Sequence, residues 1–279
     1  MNTIPTITAV LDGRASWALI HGDCMDQVAG LPSLPAGLDA HLMGDPPFSE
    51  HVHESARTNK RQAKQTGSGG EHDLGFAHLT PGLRRDVCSE AARIGVRWIV
   101  LFTDAESLGD WKHDMDAAGA RYIRGGVWVR ELSMPQVTGD RPGAGTEGLA
   151  IGYGRDGTMA WNGGGRPAVW TGPRETGKRV HPTQKPLWLM EALVRDFTDQ
   201  GDIIIDPFAG SGTTGVACLR LGRRFLGWER NEKHHAAAVR RIASTREQIQ
   251  LLPEAPRPMK QQAMFSDVNG GIRCGVSDP

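Results

Sequence analysis

The segment DIIIDPFAGSGTTG, residues 202–215, decides the fold class. An apolar run typical of a buried strand leads into a glycine-rich turn, and a helical pattern follows. Gly210, Gly212 and Gly215 have the spacing GxGxxG, which permits a tight turn and a close approach of the backbone to a ligand. Glu229 ends the next strand, 19 residues after Gly210, where a carboxylate can hold ribose hydroxyls. The segment predicts a cofactor-binding turn, and the simpler alternative is a tight turn without a ligand.

Strand and helix patterns alternate along the rest of the chain. The apolar runs WALIHGD (17–23), GLDAHLMGD (37–45) and VRWIVLF (96–102) are typical of strands, and residues 104–118 are typical of a helix. RYIRGGVWVR and GLAIGYG, within residues 121–154, are expected to form an antiparallel pair. The alternation predicts an α/β fold whose sheet is mostly parallel and has helices on both faces. Such a sheet binds ligands at the carboxyl ends of its strands.

Composition excludes several classes of protein. The 279 residues carry 32 basic and 32 acidic side chains, so the net charge of zero argues against a uniformly basic surface but permits local basic faces. The four cysteines form no CxxC pair, which disfavours a zinc ribbon or a disulfide scaffold and favours a reducing compartment. No signal peptide and no membrane-length apolar run is present, so we expect a cytoplasmic protein. We expect no metal site, since His51 and His53 have no partner by spacing.

A second motif, GDPPF at residues 44–48, ends one of the strand candidates. Two adjacent prolines cannot continue a helix or sit inside a sheet ladder, and they favour an extended backbone. They therefore form a rigid corner that holds Asp45 close to Phe48. Taken alone, the corner is as compatible with an ordinary turn as with a site.

The glycine turn is compatible with two cofactors. A dinucleotide places its pyrophosphate at the helix N-terminus, whereas S-adenosylmethionine brings a sulfonium cation and an α-ammonium group. Asp206 stands just before the turn. A carboxylate there would repel a pyrophosphate and attract an ammonium, which favours S-adenosylmethionine.

Four motifs together resemble a known family. GDPPF is similar to the D/N/S-P-P-Y/F/W motif of amino-methyltransferases, and HPTQKP (181–186) before DPFAGSGTTG is similar to the cofactor end of the β-class DNA amino-methyltransferases. GDCMD (22–26) and FLGWERN (225–231) fit the same pattern, and the resemblance covers roughly residues 16–246. It implies a Rossmann-like methyltransferase sheet, mostly parallel with one antiparallel strand. It also implies the circularly permuted motif order, with the target-base motif before the cofactor turn.

The resemblance implies a role for each motif residue. The Asp45 carboxylate and the Pro46 carbonyl would accept the two N–H groups of a flipped base, with the direction fixed by Pro47, and Phe48 would stack on the base. A leading Asp is typical of adenine-N6 enzymes, and a Phe replaces the commoner Tyr. Residues expected to bind S-adenosylmethionine are Asp23, Asp45, His181, Thr183, Lys185, Asp206, Phe208, Gly210, Gly212, Thr213 and Glu229.

Two stretches are expected to contact DNA phosphates. The first follows the GDPPF corner and the second precedes HPTQKP; their basic residues are Arg57, Lys60, Arg61, Lys64, Arg174, Lys178 and Arg179. Solvated charged loops are the alternative for both. We expect a catalytic domain over residues 1–252, a target-recognition insertion at 131–180 and a flexible tail at 253–279.

The sequence thus predicts a DNA adenine-N6 methyltransferase, prokaryotic or phage-encoded, acting on double-stranded DNA as a monomer or homodimer. A cognate restriction endonuclease is a possible partner. Cytosine-N4 methylation is the nearest alternative, and RNA or a protein glutamine amide are others. A more remote alternative is a NAD-dependent oxidoreductase, which leaves DPPF unexplained. A non-catalytic relic is disfavoured by the intact Asp45 and glycine turn.

Overall fold

The computed structural model describes residues 6–28, 31, 34, 37–48, 79–131, 133, 139–175 and 184–251. The strands in this part of the chain are β1 (Trp17–His21), β2 (Ala40–Gly44), β3 (Trp98–Thr103), β4 (Arg121–Glu131), β5 (Thr146–Tyr153), β6 (Val169–Pro173), β7 (Ile203–Asp206) and β8 (Arg224–Glu229). The helices are α1 (Ile7–Leu11), α2 (Cys24–Val28), α3 (Pro81–Ile94), α4 (Leu108–Ala117), α5 (Leu187–Phe197), α6 (Thr213–Arg220) and α7 (Glu232–Leu251).

The strands form one sheet in the order β1-β8-β7-β2-β3-β5-β4-β6. The five strands from β1 to β3 in this order pair in parallel, β5 runs antiparallel to both β3 and β4, and β6 is parallel to β4. The predicted sheet, mostly parallel with one antiparallel strand, is therefore confirmed. The carboxyl ends of β1, β8, β7 and β2 consequently meet along one edge of the sheet.

The central strands are apolar throughout because both faces of the sheet are covered. In β7, Ile203 and Ile205 pack into the core on the side of α3 and α4, whereas Ile204 packs into the core on the side of α5, α6 and α7. Successive side chains of a strand point to opposite faces, so a run of isoleucines fills both cores. The edge formed by the strand carboxyl ends is held between these two cores.

Local signals account for most helix boundaries. The Thr80 side chain accepts a hydrogen bond from Leu83 N at 3.1 Å, Pro81 occupies the first turn, and Gly95 ends α3 with φ of 77°. The helix predicted over residues 104–118 begins later than expected, at Leu108. The reason is a side-chain turn in which Asp104 Oδ1 accepts from Ser107 N at 2.8 Å.

Two elements were not expected from the sequence. The short helix α1 is capped by Thr6, and β6 lies inside a Gly/Pro-rich stretch where no strand was predicted. β6 pairs with β4 over its whole length and buries Trp170 to 5% exposure. Residues 131–180 thus supply β5 and β6 to the main sheet; the assignment of that stretch to target recognition, and the domain division as a whole, stay predictions.

The expected tail at 253–279 lies outside the described residues. Within the described ranges, no helix combines the length and the apolar character that crossing a bilayer requires.

Candidate active site

A cavity of about 600 Å³ opens at the carboxyl ends of the parallel strands. Most of its walls come from four chain segments that each follow a strand: β1, β2, β7 and β8. The other wall residues are Leu83, Phe102, Gln184, Lys185 and Met190. The predicted site residues among its walls are Asp23, Asp45, Pro46, Pro47, Phe48, Lys185, Asp206, Phe208, Gly210, Thr213 and Glu229. Residues separated by most of the chain are thus brought to one cavity, as the strand-end argument predicted. Their individual roles stay predictions.

The GDPPF corner lies against the end of β7. A Cβ on Gly44 would stand 2.7 Å from Asp206 Oδ1, a distance that side chains essentially never reach, so this position needs glycine. After the prolines, the Phe48 carbonyl accepts a hydrogen bond from Leu79 N at 3.0 Å, which fixes the far side of the corner. The corner therefore places the two carboxylates, Asp45 and Asp206, at adjacent strand ends.

Asp45 forms an ion pair with a buried lysine. Lys185 Nζ lies 2.9 Å from Asp45 Oδ1, and the ammonium is only 7% exposed. It also lies 5.1 Å from the ring centroid of Phe48 and 4.7 Å from that of Phe102. Burial raises the pKa of the Asp45 carboxyl, and the Lys185 ammonium opposes that rise.

The same ammonium contacts a second carboxylate. Lys185 Nζ is 2.9 Å from Glu147 Oε2, and Arg130 Nη1 is 3.0 Å from Glu147 Oε1. Burial by itself would lower the pKa of Lys185, but the carboxylates of Asp45 and Glu147 hold that pKa above its usual value. Glu147 and Arg130 were not among the predicted site residues; the signal that could have found Glu147 is an acidic residue at the start of an otherwise buried strand.

Asp206 has a different environment. It is 2% exposed, it accepts a hydrogen bond from Phe208 N at 2.9 Å and another from the Thr214 side chain, and no ion pair to it occurs among the described residues. Burial raises the pKa of Asp206 to about 7, more than these hydrogen bonds lower it. A buried carboxylate in this state favours a ligand that brings positive charge.

The glycine turn has a backbone conformation that favours glycine. Gly212 precedes α6 with φ of 74°, and a Cβ there would stand 3.0 Å from the Ala238 Cβ. Gly212 does not line the cavity, so its part in the site is to shape the turn. Arg241 Nη1 reaches over from α7 to Thr213 Oγ1 at 2.9 Å and fixes the start of α6.

At the carboxyl ends of β1 and β8, the predicted site residues Asp23 and Glu229 line the cavity. Asp23 Oδ1 accepts from Met25 N at 3.0 Å and so caps the start of α2. Its Oδ2 faces Arg230 Nη1 at 3.9 Å. Glu229 Oε1 accepts from Asn231 N at 2.6 Å. Both residues line the cavity and have acceptor atoms beyond these local bonds.

Several predicted residues cannot be placed. Of the expected DNA contacts, Arg174 follows β6 and is exposed. The residues that lie outside the described part of the chain are Arg57, Lys60, Arg61, Lys64, Lys178, Arg179, His181 and Thr183. Lys185, one of the residues expected to bind the cofactor, lies between two protein carboxylates. In the part of the chain that is described, no cluster of three or more potential metal ligands occurs.

Fold and cavity together define a Rossmann-like α/β protein with a cavity at the switch between the two halves of its sheet, where such folds bind their ligands. Residues 112–240 match the family model described as DNA methylase. Among solved structures, the M1.HpyAVI–SAM complex superposes with a TM-score of 0.60 and 22% identity over 81% of this chain and 98% of that one. The cytosine-N4-specific PvuII DNA methyltransferase superposes with a TM-score of 0.61 and 14% identity over 84% and 93%. At these identities the structural likeness establishes the fold.

Two curated relatives match part of the chain. The putative methylase YubD of Escherichia coli K12 is 41% identical over 93 residues, and the type II methyltransferase M2.DpnII of Streptococcus pneumoniae is 45% identical over 83 residues. These segments are 31% and 28% of this chain and cover 41% and 31% of the relatives, less than half of each. The predicted resemblance to S-adenosylmethionine-dependent DNA amino-methyltransferases is confirmed, and so is the Rossmann-like methyltransferase fold.

Proposed function

We propose that this protein transfers a methyl group from S-adenosylmethionine to adenine N6 of double-stranded DNA. One observation carries the proposal: the Asp45 corner and the Asp206 glycine turn open into one cavity from adjacent strand ends. The first offers acceptors for a planar amine, and the second offers a buried carboxylate for a cationic cofactor. The match of residues 112–240 to DNA methylases supports the reaction class.

The cavity suits this cofactor better than a dinucleotide. Asp206 is a buried carboxylate that, among the described residues, pairs with no cation, so it would repel a pyrophosphate and attract an α-ammonium. At the other end, Asp23 and Glu229 provide acceptors for an adenine amine and ribose hydroxyls. When bound, S-adenosylmethionine supplies an electrophilic methyl group on a sulfonium sulfur.

The residues of the corner would act on the substrate amine. Its lone pair is delocalised into the ring, and the target base must leave the duplex to be reached. Asp45 accepts one N–H and the Pro46 carbonyl accepts the other, so the lone pair turns towards the methyl group. Phe48 offers a face for the flipped base. Lys185 favours the ionised form of Asp45, and the carboxylate then stabilises the positive charge that develops on the nitrogen.

The choice of adenine rests on Asp45 as the first residue of the DPPF motif. Cytosine-N4 presents the same planar amine, and the same acceptors would serve it. The expected DNA contacts, the target-recognition stretch, a cognate restriction endonuclease and the monomeric or dimeric state all stay predictions.

The test is methyl transfer from tritiated S-adenosylmethionine to unmethylated genomic DNA, followed by nucleoside analysis. We expect label in N6-methyladenine. Label in N4-methylcytosine would correct the base and keep the mechanism. Absence of transfer to any DNA, together with binding of NADH, would refute the proposal in favour of an oxidoreductase.

A further inference from the structure

Four side chains of alternating charge form a row of ion pairs that begins at the cavity wall. Arg130 contacts Glu147 at 3.0 Å, Glu147 contacts Lys185 at 2.9 Å, and Lys185 contacts Asp45 at 2.9 Å. The side chains are little exposed: 10% for Arg130, 16% for Glu147, 7% for Lys185 and 25% for Asp45. Charges this close to one another and away from water fix each other's positions strongly.

Two of these four side chains reach the cavity and two do not. Asp45 and Lys185 line the cavity, whereas Glu147 and Arg130 are not among its described walls. A residue that does not reach the cavity acts on a ligand only through another residue. Arg130 is in turn held by the protein backbone, because its Nη2 donates to the Ala144 carbonyl at 2.7 Å. Glu147 is thus anchored on one side and contacts the site on the other.

Geometry indicates what Glu147 does to Lys185. The ammonium lies 2.9 Å from Asp45 Oδ1 and 2.9 Å from Glu147 Oε2, and in the described part of the structure neither oxygen receives a hydrogen bond of good angle. The ammonium is therefore shared between two carboxylates by charge attraction. Without Glu147, the Lys185 ammonium would move fully onto the Asp45 carboxylate. It would then compete with the substrate amine for the carboxylate oxygen that the amine needs.

We propose that Glu147 is a positioning residue for methyl transfer, which holds the Lys185 ammonium beside Oδ1 of Asp45 and leaves Oδ2 for the substrate amine. Arg130 secures Glu147 in this position. The kinetic consequence rests on the proposed function, whereas the effect of Glu147 on Lys185 does not.

The first test is Glu147→Gln, with Glu106→Gln as the matched control. Glu106 is exposed on the connection after β3, outside the predicted target-recognition stretch and the cavity walls, so its replacement removes the same charge without touching Lys185. We expect the single-turnover rate of Glu147→Gln to fall about tenfold, because small misplacements of positioned groups are costly in rate. The dissociation constant for S-adenosylmethionine should change less than about twofold, and the control should match the natural protein.

A double-mutant cycle separates positioning from a general structural role. In the Lys185→Met background, Glu147→Gln should cause no further loss of rate, because its route of action is gone. The same fold-loss in both backgrounds would overturn the inference. If Glu147→Gln folds poorly in a thermal melt, Glu147→Asp replaces it; this variant keeps the charge but withdraws the carboxylate by one methylene, and an intermediate rate is expected.

The second test needs no activity. With ¹⁵Nζ-labelled lysine, the Lys185 signal is assigned by its absence in Lys185→Met. We expect Glu147→Gln to shift this signal and to lower the pH at which it titrates, and Glu106→Gln to do neither. A Lys185 signal that is unchanged in Glu147→Gln refutes the inference. If the natural protein methylates no DNA, the proposed function fails, and this measurement still decides how Glu147 acts on Lys185.

Discussion

Asp45 and Asp206 end two neighbouring parallel strands, and each is followed by proline. Their surroundings nevertheless differ. Asp45 is paired with the buried ammonium of Lys185, whereas Asp206 is held by the Phe208 N–H and the Thr214 hydroxyl. Burial raises the pKa of both carboxyls, and only for Asp45 does a cation of the protein oppose the rise.

The difference agrees with the role that the proposed function gives to each carboxylate. The substrate amine is neutral and cannot help Asp45 to ionise, so the protein supplies the cation. The cofactor brings its own positive charge, so Asp206 can be left without one. An ionisable group that awaits a charged ligand is expected to be poorly stabilised in the free protein. The following substitutions test this contrast.

The largest effect is expected at the paired carboxylate. Asp45→Ala removes the acceptor that orients the amine, and we expect methyl transfer to fall by about 10³-fold or more. The dissociation constant for S-adenosylmethionine should stay within about threefold, because the cofactor's charged groups are assigned to the other carboxylate. Tritium transfer and equilibrium binding measure the two quantities.

Asp86→Ala is a suitable control, since Asp86 is an exposed carboxylate on α3, outside the cavity walls and the predicted target-recognition stretch. It should alter neither quantity. Equal losses of transfer and of cofactor binding in Asp45→Ala would mean that the corner has only a structural role.

The second-largest effect is expected from Lys185→Met, which leaves Asp45 without a paired cation, as Asp206 is among the described residues. Lys185→Met keeps the length of the side chain and removes the cation, so the pKa of Asp45 should rise further. Since the ionised carboxylate is the active form, transfer at pH 7 should fall by about 10²-fold and should recover in part at higher pH. Rate profiles between pH 6 and 9 check this; a profile of unchanged shape would show that Lys185 does not control Asp45.

The sequence predicted this contrast only in part. Both carboxylates were expected at one sheet edge, because each follows a strand-like run and parallel strands place their carboxyl ends together. Glu147 and Arg130 were missed because their contacts depend on how β4 and β5 pair and on where the segment before α5 returns to the sheet. β6 was missed because a five-residue strand among glycines and prolines has too little pattern to stand out.

A third, smaller effect concerns stability. The pKa of Asp206 is about 7 in the folded protein and 3.8 in its ordinary state, so the folded state holds the proton more tightly. Ionising Asp206 therefore destabilises the fold by up to about 4 kcal/mol, at roughly 1.4 kcal/mol per pKa unit. Asp206→Asn removes this cost, but its amide nitrogen cannot accept from Thr214. We expect a net gain of about 2 kcal/mol in the unfolding free energy of the ligand-free protein at pH 8.

The pH dependence has a defined sign. Below about pH 4 both the folded and unfolded states carry a proton on Asp206, so this part of the gain is absent. It grows between about pH 4 and 7 and is constant above 7. Urea unfolding of both proteins at several pH values measures it. A difference that shrinks as pH rises would contradict the assignment, and weaker S-adenosylmethionine binding by the Asn variant should accompany the gain.

The smallest effect is expected in the unaltered protein. With a pKa of about 7, Asp206 is about one-tenth ionised at pH 6 and half ionised at pH 7. If the carboxylate is the form that binds the cation, the dissociation constant for S-adenosylmethionine should fall about fivefold over this interval. The interval lies below the titration of α-amino groups, at about pH 8, so the charge of the ligand changes little.

Calorimetric titrations at the two pH values measure this change, and Asp206→Asn separates its sources. Any dependence that persists in Asp206→Asn belongs to other groups. An equal slope in both proteins would show that Asp206 is not the carboxylate that awaits the cofactor, and the contrast with Asp45 would then lose its functional meaning.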